Sequence, residues 1–284
     1  MTILMPPQSR IRRKKRKNNS LGFWAASVFL VVAGLAAIAG PYMAPYSGDE
    51  IDFSSIWAGP SAEHVLGTDQ LGRDLYSRLL AGAGETLVGP VILLALATTF
   101  GVAIGVTAAW RGGWVDTVLA RLTDVMFAFP GLLFVVLVIA VFGKGKWTAI
   151  IALSLAYAPV IAKYVRSLAL SEIARPYIDA YRAQGLGGLT ICVRGVIPNL
   201  LPALVGFLVV QFGEVLMSLA TLSYLGFGAQ PPSSEWGLMV QEGQAGIVQG
   251  YFLPTLVPGM AIALVVVAVN IVGVRVADRL QAKG

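Results

Sequence analysis

Six long apolar stretches recur along the chain, separated by segments rich in polar residues, glycine and proline. Residues 21–40 carry no charge. At about 1.5 Å per residue, a helix of that length covers about 30 Å, the thickness of a bilayer's hydrocarbon core. The other stretches are 86–109, 125–142, 148–162 with an amphipathic extension to 170, 196–222 and 254–274. Backbone in lipid has no water to bond, so these segments are helices rather than open strands. The pattern predicts an all-α, polytopic membrane protein with six transmembrane helices. A basic run at 10–17 precedes the first stretch, as in a signal peptide. The apolar part of a signal peptide is only about 7–15 residues long, which favours a retained helix.

Composition supports this reading. Hydrophobic residues make up 56% of the 284 positions and charged residues only 13%. An ordinary soluble domain carries about 25% charge, enough to cover its surface. One cysteine excludes an intrachain disulfide and a CxxC site, and one histidine excludes paired-histidine metal chemistry. No GxxxxGK[ST] loop occurs; Gly143-Lys144-Gly145-Lys146 lacks its spacing and reads as a short connection. No paired Ser/His or Asp/Asp lies within the spans, which argues against an intramembrane enzyme.

The cations set the orientation. With the N-terminus inside, seventeen lysines and arginines fall on the inner side. Only Arg73, Arg78, Lys144 and Lys146 fall outside, as the positive-inside rule requires. The basic balance is thus a topology signal, and nucleic-acid binding is not expected because only the N-terminal tail is a basic cluster. Five parts follow: a tail (1–20), a first helix (21–40), an outer segment (41–85), a five-helix core (86–278) with an inner loop (171–195), and a second tail (279–284). Within the outer segment Leu71, Leu75 and Leu79 share one face and predict a helix lying at the interface, capped by Thr68 or Asp69. Ala97, Gly101, Gly105 and Ala109 repeat every fourth residue and invite close approach of another helix.

The inner loop interrupts the apolar pattern longest. Residues 172–184 read as a short helix, with Pro176 in its first turn and Tyr177, Ala180, Tyr181 and Gln184 along one face. Gly185, Gly187 and Gly188 end it. The segment is either a solvated connector or a helix that another protein grips.

Asp179-Ala180-Tyr181, Gly185 and Ile197-Pro198-Asn199 resemble the cytoplasmic "EAA" loop of ABC-importer permeases, with Asp for Glu and Tyr for the second Ala. Three further stretches are similar to the peptide/nickel branch of that family. They are His64-Val65-Leu66-Gly67-Thr68-Asp69-Gln70-Leu71-Gly72-Arg73-Asp74, Gly112-Gly113-Trp114-Val115-Asp116 with Asp124 and Phe129-Pro130, and the run from Leu222 through Pro231-Pro232 to Glu235-Trp236-Gly237. They follow family order from about residue 60 to the end. The chain is identified as a member of the "C"-type permeases of the dipeptide/oligopeptide/nickel group.

The resemblance implies a type I ABC importer permease in a bacterial inner membrane, with both termini cytoplasmic. It implies three kinds of partner besides lipid: a second, homologous permease, two ATPase subunits and an extracytoplasmic substrate-binding protein. ATP and magnesium would sit on the ATPases, with no cofactor in this chain. Tyr177, Tyr181 and Arg182 would be the grip, Gly185 the bend, and Asp179 a local cap or pair. His64, Asp69 and Asp74 would be structural. Glu214 and Asn270 are the polar residues of the fifth and sixth stretches. A carboxylate at the bilayer centre costs roughly 2.5–3.5 kcal/mol, so Glu214 is expected to face the pathway or the partner, or else to lie near enough the outer surface to be wet. Many peptide-type relatives carry an acid where Leu219 stands, which keeps nickel-chelate import open beside peptide import. Gly273-Val274-Arg275 also departs from the family's Gly-Asp-Gly. An ion-coupled secondary transporter would need an internal repeat and its own ion site, for which Glu214 and Asn270 are thin material.

Overall fold

The computed structural model describes residues 20–281. The predicted basic tail lies outside the described residues, as does Lys283. In chain order the helices are α1 (Ser20–Met43), α2 (Leu75–Arg111), α3 (Gly113–Ala128), α4 (Gly131–Phe142), α5 (Lys146–Ile173), α6 (Pro176–Ala183), α7 (Gly188–Ile191), α8 (Ile197–Tyr224), α9 (Trp236–Val248) and α10 (Leu253–Gln281). A π-turn, Cys192–Val196, joins α7 to α8. No strand occurs among the described residues. By length and hydropathy α1, α2, α5, α10 and the run from α7 through α8 each suffice to cross a membrane, and α3 with α4 makes a sixth crossing if counted as one.

Two predicted elements differ in the structure. The third stretch is not one helix: α3 and α4 meet at 87°. Pro130 offers no N–H to continue α3, and Phe129 before it is extended, as the residue preceding a proline prefers. The separate interfacial helix is also absent. Leu75 instead opens α2, which at 37 residues runs about 55 Å and outreaches a bilayer core. Its N-cap is neither Thr68 nor Asp69 but Asp74, whose carboxylate accepts the Ser77 N–H at 2.7 Å.

The small-residue stripe sets the core. Ala97, Gly101, Gly105 and Ala109 are all buried, and the two glycines face α5. A Cβ on Gly101 would lie 2.7 Å from Ile161 Cβ, and one on Gly105 would lie 2.6 Å from the Ala162 carbonyl. The stripe is therefore spent within this chain. On the other side α8 packs against α10, where a Cβ on Gly206 would meet the Ala277 backbone at 2.9 Å. Helix α1 lies outside this core, against α2 and α10.

The alternating helix directions collect the polar segments at two opposite ends. One end holds the loop 44–74, the N-terminus of α5, the turn after α8, and α9. The other holds the C-termini of α2 and α5, then α6, α7 and the π-turn. Of the cations assigned to the inner side, those on the α5–α8 connection, among them Arg175, Arg182 and Arg194, lie together at this second end.

Candidate functional site

The segment from Glu172 to Asn199 crosses the base of the bundle. Arg175 is extended and Pro176 takes the first helical position, so α6 departs sharply from α5. Ile178 is fully buried and joins a core with Ile191, Cys192 and Val196. Tyr177 and Tyr181 flank it, their rings edge to face at 5.6 Å. Tyr181 lies over Gly195, where an added Cβ would approach its ring to 3.2 Å. The Tyr177 hydroxyl donates to the buried Glu172 carboxylate at 2.7 Å and accepts from Asn199 Nδ2 at 3.0 Å. Asn199 Nδ2 also donates to the Gly195 carbonyl at 2.7 Å. Burial, and then the adjacent Glu172, push the Tyr177 hydroxyl pKa up. Arg175 reaches Glu172 at 3.1 Å.

The helix ends in a Schellman turn. Gly185 has φ of +75°; its N–H bonds the Arg182 carbonyl at 3.0 Å, and the Leu186 N–H bonds that of Tyr181 at 3.2 Å. Gly185 thus sits at the turn that ends α6. The predicted gripping face is corrected. Tyr177 and Tyr181 turn inward, because a short helix on a bundle buries its largest apolar side chains, and Ile178 between them fixes which side that is. Along α6 and its cap the exposed positions are Pro176, Asp179, Ala180, Arg182, Ala183 and Gln184. Asp179 pairs locally with Arg182 at 3.0 Å, and the Arg182 guanidinium also lies over the Trp110 ring at 5.2 Å.

The opposite end is built from buried charge. Asp69 receives Arg73 Nε at 2.7 Å and Arg78 at 2.6 Å. Both arginines also reach Glu242 of α9, at 2.7 and 2.8 Å. All four side chains are at least nine-tenths buried. Arg78 further donates to the Ser233 carbonyl at 3.1 Å. Trp236 donates its indole N–H to the Leu79 carbonyl at 3.0 Å, and Ser233 bonds Glu85. His64 lies 3.1 Å from Asp74, the cap of α2. The long motif from His64 to Asp74 thus clamps the loop 44–74, the start of α2 and α9 into one body. Sequence reading took His64, Asp69 and Asp74 as structural and did not single out Glu242, 169 positions from Arg73.

Glu235 caps α9, accepting the Leu238 N–H at 2.9 Å. Its burial raises its pKa, against the opposing pull of backbone N–H groups, Ser223 and Lys146. Leu219 lines a niche of about 20 Å³ beside Glu85, Lys146 and Glu235, room for a single water. Glu214 lies exposed on α8. Asn270 is exposed on α10, bonds the Val266 carbonyl at 2.9 Å, and touches the space beside Gly213. Among the described residues no hydrogen bond joins Glu214 to Asn270.

Known proteins resemble this chain in sequence and in fold. Residues 101–283 match the family described as binding-protein-dependent transport system inner membrane component. The glutathione transport system permease protein GsiD of Escherichia coli O6:K15:H31 (strain 536 / UPEC) is 34% identical, over all of this chain and 94% of that one. The same values hold for GsiD of Shigella boydii serotype 4. Among solved structures, an inward-facing form of the MetNI methionine ABC transporter matches with a TM-score of 0.59 at 21% identity, covering 72% of this chain and 96% of that one. That likeness shows the type I ABC importer permease fold. Helices and comparisons together make the chain a multi-pass inner-membrane permease, not an enzyme, and a member of the family of binding-protein-dependent transport system inner membrane components.

Proposed function

We propose that this chain forms half of the translocation pathway of a peptide importer, paired with a second, homologous permease. Two separate ATPase subunits, carrying ATP and magnesium, drive it from the cytoplasm, where both termini lie. A substrate-binding protein delivers di- or oligopeptides or a peptide-like thiol from the other side. The observation that carries the substrate class is the full-length similarity to a permease named for glutathione, itself a small peptide.

The geometry of α6 supports the coupling role. Its outward face is small and polar at Ala180, Ala183 and Gln184, which suits insertion into a groove. Its inward face is locked by Ile178, Tyr177 and Tyr181 to α5 and to the base of α8. Closure of the ATPases would move α6 as a rigid lever and carry both helices with it, a switch driven by the partner's differential binding of ATP.

The test is uptake by the four-subunit complex in vesicles with its binding protein. The reading expects ATP-dependent uptake of glutathione or short peptides. Uptake of a nickel chelate with no peptide transport would replace the substrate class. Uptake that needs an ion gradient and no ATP would overturn the reading itself.

A further inference from the structure

At the platform end a cleft of about 320 Å³ opens between the loop 44–74 and the turn from α9 to α10. Trp57, Leu66, Tyr251, Phe252 and Pro254 line it. Trp57 and Tyr251 stack in parallel, centroids 5.4 Å apart and planes 4° apart. Three features make the wall rigid. The Trp57 N–H bonds the carbonyl of Asp69, the hub of the buried ion network, at 3.1 Å. Its ring fills the space where a Cβ on Gly246 would approach it to 2.7 Å. Its backbone has φ of +54°, a strained value for a bulky residue. Phe252, by contrast, keeps 54% of its surface exposed and Tyr251 43%, although both stand beside a concavity.

The loop that supplies Trp57 and Leu66 is acidic. Asp49, Glu50, Asp52 and Glu63 are all exposed, and positions 41–72 contain no lysine or arginine. Hydroxyls hold two of these charges in place: Ser47 lowers the pKa of Asp49, and Ser54 with Ser55 lowers that of Asp52. An anionic lipid surface repels such a loop. A rigid aromatic pocket within a charged surround is instead the anatomy of a protein–protein hot spot.

We propose that this cleft receives the substrate-binding protein: an apolar side chain from a lobe with a basic edge enters between Trp57 and Phe252, and the acidic loop steers its approach. The inference rests on the reading that residues 41–74 face outward in a binding-protein-dependent importer.

The experiment measures ATP hydrolysis by the complex in nanodiscs as its cognate binding protein is titrated, at two ionic strengths. Tyr251→Ala and Phe252→Ser open the wall without touching the ion network, and an unchanged unfolding midpoint verifies that each folds. Each is expected to raise the half-saturating concentration of binding protein about tenfold, the loss of one hot-spot contact. Neutralising the loop (Asp49→Asn, Asp52→Asn and Glu63→Gln together) is expected to raise that concentration several-fold at low ionic strength and flatten its salt dependence. Wild-type titration curves from both sets overturn the cleft assignment. If binding instead follows the anionic lipid content of the disc, the occupant is a headgroup and the proposal fails. A wild-type complex that ignores its binding protein refutes the importer reading, and the cleft assignment with it.

Discussion

The two polar ends of this molecule are built on opposite electrostatic plans. At the platform end, Asp69, Arg73, Arg78 and Glu242 are buried together, each charge met by two others. At the α6 end, Asp179 and Arg182 pair in the open, at 73% and 50% side-chain exposure. Buried pairs are costly to assemble and costlier to break, so a network of them tolerates one geometry only. Exposed pairs contribute about 0–1 kcal/mol and break without penalty. A body that must hold its shape against a docking partner fits the first plan. A segment that must be carried from one position to another fits the second, with its fixed points confined to Ile178 and the two tyrosines.

That difference ranks the expected mutational effects. Asp69→Ala leaves Arg73 and Arg78 short of their shared carboxylate, and breaking a buried pair costs about 3–5 kcal/mol. Little folded protein should reach the membrane, measurable by detergent-solubilised yield and unfolding midpoint. Near-normal yield would show that Glu242 alone suffices. Ala180→Glu should leave folding intact, because the side chain points outward, yet lower peptide uptake and substrate-stimulated ATP hydrolysis together by roughly tenfold or more, the effect of about 1.4 kcal/mol. Wild-type uptake in an assembled complex would make α6 a plain connector.

Tyr177→Phe removes the hydroxyl between Glu172 and Asn199 and should cost about 1 kcal/mol. The loss should appear as looser coupling, more ATP hydrolysed per substrate moved, since the α6 anchor slackens while the core stays packed. An unchanged coupling ratio would limit Tyr177 to packing. Glu235→Gln should have the smallest effect, and in the stabilising direction. Because burial raises the folded pKa of Glu235, the unfolded chain ionises first as pH rises. Below the usual carboxylate range both states are protonated and no penalty exists. The penalty grows from that range up to the raised folded value and is constant above it. The variant should therefore unfold at a higher temperature than wild type at neutral pH, and the gain should vanish in acid. A gain that persists in acid would point to packing rather than charge.

Much of this was readable before any coordinates. The apolar stretches locate the spans because lipid imposes helices with few alternatives. Gly185 and Pro176 mark the ends of α6 because their backbone restrictions are local. The bend at Phe129–Pro130 was written in the proline but masked by unbroken hydropathy across it. The orientation of α6 was missed because tyrosine suits both a gripping surface and a buried flank. Ile178, the one large side chain of that helix with no polar atom, was the signal that decides. Glu242 had no local signature, since a charge partner 169 positions away is specified by the fold and by nothing near it.

The central claim is that the α6 segment is the surface an ATPase partner grips while the platform stays out of that contact. Amide hydrogen exchange of this chain, in the permease pair with and without its ATPase subunits, tests it most directly. Residues 174–190 should gain protection when the ATPases bind, and residues 52–74 should exchange identically in both samples. Unchanged exchange at 174–190 in a complex that hydrolyses ATP would contradict the account.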